Sequence, residues 1–272
     1  MITTKLVAVC NLSVESFSGD GFTDYTDPEL LWQYLQWLMD QWADMIDIWA
    51  VSTAPWAPQI DFEQEYARLK VFFDICRECV LPFSLDTRDA RIAALWIASG
   101  VQMINDVSWW RYDPDMIALI AAHPQVKYVI MYSKAPHGAA DKSPRSSVWD
   151  IMEEICEFLN ECIAYCISQW VDRDQLILDP GMGWFLSPDP QDSIRVLQCI
   201  AMIKERYHLP VYLGTSRKWF LGKLAPDQWP HNRLWSSLAS WLYAMQQWVD
   251  YLRVHDIAET RQMLLVWNTL YS

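Results

Sequence analysis

Glycine is scarce in this chain. There are 8 in 272 residues, where ordinary usage of about 7% would give roughly 19, and the shortfall stands beside 17 tryptophans. No G-x-G-x-x-G follows the first apolar run, which removes the dinucleotide-binding form of the open doubly wound sheet. No apolar stretch reaches about 18 residues, and the N-terminus lacks a basic segment followed by an apolar run and cleavage site, so neither a transmembrane helix nor a secretory leader is expected. Positive charge is short as well. A formal net charge of -13 with a pI near 4.7 argues against a nucleic-acid surface, and an anionic ligand would need a local cationic pocket. The seven cysteines (Cys10, Cys76, Cys79, Cys156, Cys162, Cys166 and Cys199) show no disulfide-scaffold spacing. They read as free thiols in a reducing compartment, and the chain as a soluble cytoplasmic protein. Cys76-x-x-Cys79 has no second pair and no histidines at zinc spacing, so helical packing explains it.

What the chain does have is a repeated grammar of apolar runs that close in polar groups. The clearest is Leu176-Ile177-Leu178-Asp179-Pro180-Gly181-Met182-Gly183. Its apolar residues suit burial on both faces, as in a parallel sheet, and Pro180 has no N–H to extend the ladder. The same pattern recurs near 5–11, 44–49, 83–87, 102–107, 127–132, 210–215 and 250–255, giving eight expected strands with this one at 175–179. Helices are expected between them at 28–42, 62–79, 88–99, 113–122, 148–170, 190–206, 231–248 and 257–271. Within 62–79, Phe62, Tyr66, Leu69, Phe72 and Phe73 fall at helical spacing and read as core. Residues 133–147 read as a long mobile loop. Eight strand-helix units without a linker predict a single-domain, closed (β/α)8 barrel over 1–272, in which all polar strand ends gather on one face.

Pooling those ends gives Asn11, Asp47, Asp86, Asn105, Asp179, Ser216, Arg217, Lys218, Arg253 and His255. Asp86, Asn105 and Asp179 can offer acceptors and an amide edge to a flat, nitrogen-rich heterocycle, because a buried carboxylate needs paired donors. Lys218, Arg253 and His255 concentrate positive charge suited to a phosphate or pyrophosphate. Arg253 and His255, two apart on one strand, point the same way. Asp47 fits a hydrogen-bonded barrel residue as well as it fits a ligand contact, and Asp106 is expected to cap its following loop.

The ordered segments Asn11-Leu-Ser-Val-Glu-Ser-Phe-Ser18, Ser52-Thr-Ala-Pro55, Ser84-Leu-Asp-Thr87, Ile104-Asn-Asp106, Leu178-Asp-Pro-Gly-Met-Gly183, Ser216-Arg-Lys218 and Arg253-Val-His-Asp256 together resemble the dihydropteroate synthase family over nearly the whole chain. The resemblance implies a (β/α)8 barrel that joins p-aminobenzoate to 6-hydroxymethyl-7,8-dihydropterin diphosphate in folate biosynthesis, releasing pyrophosphate with Mg2+ assistance. It implies that Asp86, Asn105, Asp179 and Lys218 hold the pterin and carry the catalytic work. Asn11 would meet the metal-diphosphate, Arg253 and His255 would bind the diphosphate, and Thr53, Pro55, Phe17 and Ser216 would border p-aminobenzoate. A homodimer, with no nucleic-acid or membrane partner, is also implied. No protein nucleophile is needed, since an arylamine attacks a carbon held at short range.

Several positions depart from the family pattern. Ala54 stands where the family usually has arginine, Val14 replaces a common proline, and Tyr132 replaces a histidine. Trp42, Trp49, Trp56, Trp109, Trp110, Trp170 and Trp248 stand where the family typically has glycine, several of them in tight turns that need positive φ or close approach. They track expected glycines and not one face, which disfavours a carbohydrate-binding surface. Reading UGA as tryptophan in a lineage that uses it for glycine would produce this substitution pattern. Two further readings stay open on sequence alone: a non-catalytic pterin-binding paralogue, supported by Ala54 and the tryptophans, and a methyltetrahydrofolate-binding methyltransferase barrel, which has no need of the Ser216-Arg217-Lys218 and Arg253-Val254-His255 sets.

Overall fold

A computed structural model describes residues 4–12, 27–51, 60–76, 79–134, 150–225 and 229–271. Among them the eight strands are β1 (Lys5–Asn11), β2 (Met45–Trp49), β3 (Phe83–Asp86), β4 (Met103–Asp106), β5 (Lys127–Met131), β6 (Leu176–Asp179), β7 (Tyr212–Leu213) and β8 (Tyr251–Val254). The helices are α1 (Pro28–Asp40), α2 (Phe62–Ile75), α3 (Ala90–Ile97), α4 (Asp115–Ala121), α5 (Ile151–Ser168), α6 (Pro190–Gln198), α7 (Ile200–Tyr207), α8 (Leu221–Leu224), α9 (Leu234–Gln246) and α10 (Ile257–Leu270).

All strand pairs are parallel, in the order β6-β5-β4-β3-β2-β1-β8-β7. The ring closes where Leu178 of β6 bridges Val211 and its N–H donates to Pro210 O at 2.9 Å. The expected (β/α)8 barrel is therefore present.

Alternation along each strand builds two apolar layers. Leu6, Ala8 and Cys10 of β1, with Ile46, Ile48, Leu85 and Ile130, face the helices in one large core. Val7, Met45, Met103, Val129, Ile177 and Tyr212 fill the barrel's interior. The helix α2 stripe packs as expected, with Leu69 and Phe72 fully buried and Phe62, Tyr66 and Phe73 against the same core. Cys76 is buried, and the Cys79 thiol meets the Met39 sulfur at 3.9 Å.

Helix entries follow local rules. Asp27 caps α1 ahead of Pro28, and Asp61 with Gln64 forms a capping box on α2. Two expectations need correction. The strand expected over 210–215 shrinks to Tyr212–Leu213, because Pro210 has no N–H to donate and the Val211 N–H is taken by the Asp250 carboxylate at 2.6 Å. The helix expected over 190–206 is two, α6 and α7, meeting at Cys199. There the Gln247 amide replaces part of the helical ladder, accepting from Ala201 N–H at 3.2 Å and donating to Leu197 O at 2.7 Å.

Candidate active site

The interior apolar layer stops one step below the carboxyl ends of the strands. Above it polar side chains join Val9, Trp49 and Met131, and together they line one cavity of about 130 Å³. Asp86, Asn105, Asp179, Ser216, Lys218, Arg253 and His255 all line it, with Met182, Trp184, Phe185, Tyr212 and Trp219. Acids and bases expected from distant parts of the chain thus share one rim. Asn11 does not line the cavity. It is buried in the same top row, paired in register with Trp49. Phe17, Thr53 and Pro55 lie outside the described residues, as do Val14, Ala54 and Trp56.

Asp179 is held by the turn that follows β6. Its Oδ1 accepts the Gly181 N–H at 2.8 Å. Gly181 has φ +71°, and a Cβ there would lie 2.3 Å from the Tyr132 carbonyl oxygen, so this turn has no room for another residue. Burial pushes the Asp179 pKa up to about 6, against the nearby Lys218 charge and the Gly181 bond, which lower it. Burial also draws Lys218 down to about 8, partly offset by Asp179. The Lys218 ammonium donates to Met182 O at 3.1 Å and sits 5.1 Å from the Phe185 ring centre. The two groups form an acid-base pair whose charged states are costly and mutually supportive.

Arg253 lies at the centre of a second set. Its Nε donates to Asp47 at 2.6 Å and its guanidinium reaches Asp86 at 3.3 Å. Asn105 Nδ2 donates to the same Asp47 oxygen, Oδ2, at 3.4 Å. Asp47, with no exposed surface and absent from the cavity lining, is the hydrogen-bonded barrel residue of its two expected readings. Burial raises the Asp86 pKa, and the Arg253 charge opposes that rise. Burial would lower the Arg253 pKa, but Asp47 and Asp86 outweigh it and raise it.

Ser216 Oγ meets His255 Nδ1 at 2.7 Å and accepts the His255 N–H at 3.3 Å, locking the last strand's end to the Ser216-Arg217-Lys218 turn. Arg217, at φ +54°, pairs with Asp256. Asp106 caps its loop as expected, accepting from the Ser108 N–H at 2.8 Å, the Ser108 hydroxyl at 2.6 Å and the Trp110 N–H at 2.7 Å. Tyr132 turns outward, donating to Glu154 at 2.8 Å.

The sequence profile described as "pterin binding enzyme" matches residues 7–255. The chain belongs to the pterin-binding enzyme family. It is 32% identical to the type-3 dihydropteroate synthase of Escherichia coli, covering 98% of this chain and 99% of that one. The dihydropteroate synthase of Xanthomonas albilineans with 4-aminobenzoic acid superposes with a TM-score of 0.86 at 31% identity, over 99% of this chain and 93% of that one. That of Anaplasma phagocytophilum with bound 6-hydroxymethylpterin-monophosphate gives a TM-score of 0.84 at 32% identity, covering 99% and 100%.

For a pterin-binding enzyme the cavity adds groups that motif reading left out. Tyr212, fully buried, forms its floor, and Trp184 stacks on Trp219 with ring centres 4.4 Å apart at 24°. The two-residue spacing of Tyr212 in β7 and Gly214 just after it, both lining the cavity, signals which face is inward. Nothing local signals the stack, because the two indoles come from different turns.

Proposed function

We propose that this protein condenses 6-hydroxymethyl-7,8-dihydropterin diphosphate with p-aminobenzoate, giving 7,8-dihydropteroate and pyrophosphate. The single observation that carries the reading is the shared rim: carboxylates and an amide on β3, β4 and β6 face cations from the turn after β7 and from β8 across one cavity. The bound aminobenzoate and pterin phosphate of the two structural relatives are ligands of the same chemistry.

The heterocycle rests on Asp86, Asn105 and Asp179, whose acceptors suit its N–H edge, while Lys218 closes over it beside Asp179. The amine nitrogen of p-aminobenzoate attacks the exocyclic methylene carbon as the C–O bond to diphosphate breaks. Pyrophosphate leaves with the electron pair, and the amine loses a proton to solvent. Cationic character on the pterin side is met by the carboxylates, and negative charge on the leaving group by Arg253 and His255. Ser216, bonded to His255, fixes the orientation of that imidazole.

The donor set fits a Mg2+ ion that travels with the diphosphate. Among the described residues no group of three or more His, Cys, Asp or Glu could hold a metal ion, and such an ion ordinarily takes one or two protein oxygens with substrate phosphates and water. Asn11 would supply the protein oxygen, and the ion would neutralise charge on the departing diphosphate. Phe17, Thr53 and Pro55 would border the aminobenzoate.

Free buried thiols support a cytoplasmic setting. Exposed Leu265, Val266, Leu270 and Tyr271 on and beside α10 support a homodimer, which sedimentation tests directly. The deciding assay is pyrophosphate release from the pterin diphosphate with and without p-aminobenzoate. Release that requires p-aminobenzoate is expected, and Lys218→Ala and Asp179→Ala abolish it. Pterin binding without release would instead identify a non-catalytic paralogue.

A further inference from the structure

Across β1 to β4 the uppermost inward positions stand in one register row. Asn11 pairs with Trp49, Trp49 with Asp86, and Asp86 with Asn105. Register partners on parallel strands project to the same face, so an indole sits inside a row that is otherwise polar and aimed at ligand. It is almost fully buried and lines the cavity. The Arg253 guanidinium carbon lies 5.6 Å from its ring centre, at stacking distance for a cation over an aromatic face. Asn11, paired with the indole in register, lies beside the cavity lining and not in it. The cation meant for an anion is thus covered on one side by Trp49 and held on the other by Asp47 and Asp86.

We propose that residue 49 sets access to the anion end of this cavity: the indole narrows it, and a residue with a small side chain or none opens it further to a diphosphate. This deepens the proposed function and rests on it. The test is calorimetric titration of inorganic pyrophosphate, with and without Mg2+, into the parent protein and into Trp49→Gly, Trp49→Ala and Trp49→Phe, with thermal melts confirming folding. Pyrophosphate is expected to bind at least about tenfold more tightly to the glycine and alanine variants, with a stronger Mg2+ dependence than in the parent, and the phenylalanine variant stays like the parent. Equal or weaker binding by folded Trp49→Gly and Trp49→Ala overturns the proposal. The two readings fail separately. A glycine variant that gains pyrophosphate affinity yet makes no dihydropteroate refutes the function alone. A parent that turns over with a KM unimproved by Trp49→Gly refutes the role of residue 49 alone.

A second inference rests on backbone geometry and not on the cavity. Helices α1, α5 and α9 end in the same motif. Trp42, Trp170 and Trp248 stand just past the last turn at φ +58°, +68° and +59°. In each, the following N–H returns to the carbonyl five residues earlier: Ala43 to Leu38, Val171 to Cys166 and Val249 to Ala244. Helix α3 ends identically, Val101 returning to Trp96, but there the left-handed residue is Gly100 at φ +101°. This helix stop favours glycine because any Cβ is strained in it. Trp170 is 89% exposed, so no packing offsets that strain. Trp109 and Trp110 are left-handed in succession, at +40° and +53°, in the turn after β4. Of the other left-handed residues lacking glycine, His208 is a type that tolerates the conformation better, and Arg217 is tied down by Asp256.

We infer that the protein made in its own host carries glycine at positions 42, 109, 110, 170 and 248, each encoded by UGA read as glycine. The gene and the intact mass of the host-made protein decide. UGA at all five codons, and a mass below that of a chain with tryptophan at these positions, are expected. A host-made protein with tryptophan at these positions overturns the inference. In recombinant protein, the triple change Trp42→Gly, Trp170→Gly and Trp248→Gly is expected to raise Tm by roughly 5 °C through relief of strain, and a lowered Tm counts against it.

Discussion

Replacing Asp179 by asparagine should stabilise the fold while destroying turnover. The carboxylate is buried and its pKa stands at about 6, above its ordinary 3.8. At about 1.4 kcal/mol per pH unit, keeping it ionised in the folded protein costs roughly 3 kcal/mol at pH 8. Asparagine retains an oxygen for the Gly181 N–H and carries no charge to bury, but Lys218 loses its counter-charge, which returns part of the gain. A net gain of about 1–2 kcal/mol remains, and in a domain of this size it raises Tm by roughly 3–6 °C. The pH dependence follows from the direction of the shift. A raised carboxylate pKa means the folded state binds the proton more tightly, so the penalty is complete above about 6 and vanishes as pH falls towards 3.8. Thermal unfolding of both proteins at pH 8 and pH 5 is the assay, and the difference should shrink at pH 5. An Asp179→Asn protein that melts lower than its parent at pH 8 would refute the claim that this carboxylate is held against its own solvation.

Turnover should follow a bell in pH. The ascending limb lies near the Asp179 value of about 6 and the descending limb near the Lys218 value of about 8, measured as kcat/KM across pH 5 to 10 at roughly constant ionic strength. Asp47→Leu removes one partner of a buried ion pair and leaves Arg253 with Asp86 alone. It should destabilise by about 3–5 kcal/mol, read by denaturant unfolding, and a loss under 1 kcal/mol speaks against a structural role for Asp47. Thr87→Val leaves the buried Glu65 without its 2.6 Å hydroxyl donor. Since burial already lifts Glu65 to about 7, the change should raise that pKa further and cost about 1–2 kcal/mol at pH 8, with little cost at pH 5.

The strands were legible in the sequence because a parallel sheet buried on both faces demands apolar runs, and each run except that of β7 ends within about a residue of its ladder. The rim was legible for the same reason: a polar residue at an inward position near the carboxyl end of such a run faces the mouth, which placed Asp86, Asn105, Asp179 and Arg253 together. What the sequence withheld were pairings fixed by register and not by neighbours in the chain. Arg253 and Asp47 stand 206 positions apart, and their 2.6 Å bond exists only because β8, β1 and β2 lie side by side. The break at Cys199 was hidden likewise, since the group that stabilises it, Gln247, arrives from the far end of α9. The tryptophans were visible as misfits in the family pattern, but only φ separates the five left-handed ones from Trp49 in its strand.

The single bridge between Leu178 and Val211 makes β6 and β7 the least riveted neighbours in the ring. Asp179 ends one of these strands and Lys218 follows the other, so the seam runs straight beneath the acid and the base. Amide exchange at this join should outpace that of the β1–β2 ladder. Each momentary parting would also move Asp179 away from the Lys218 charge that supports it, so the looseness of one strand pair reaches both groups at once.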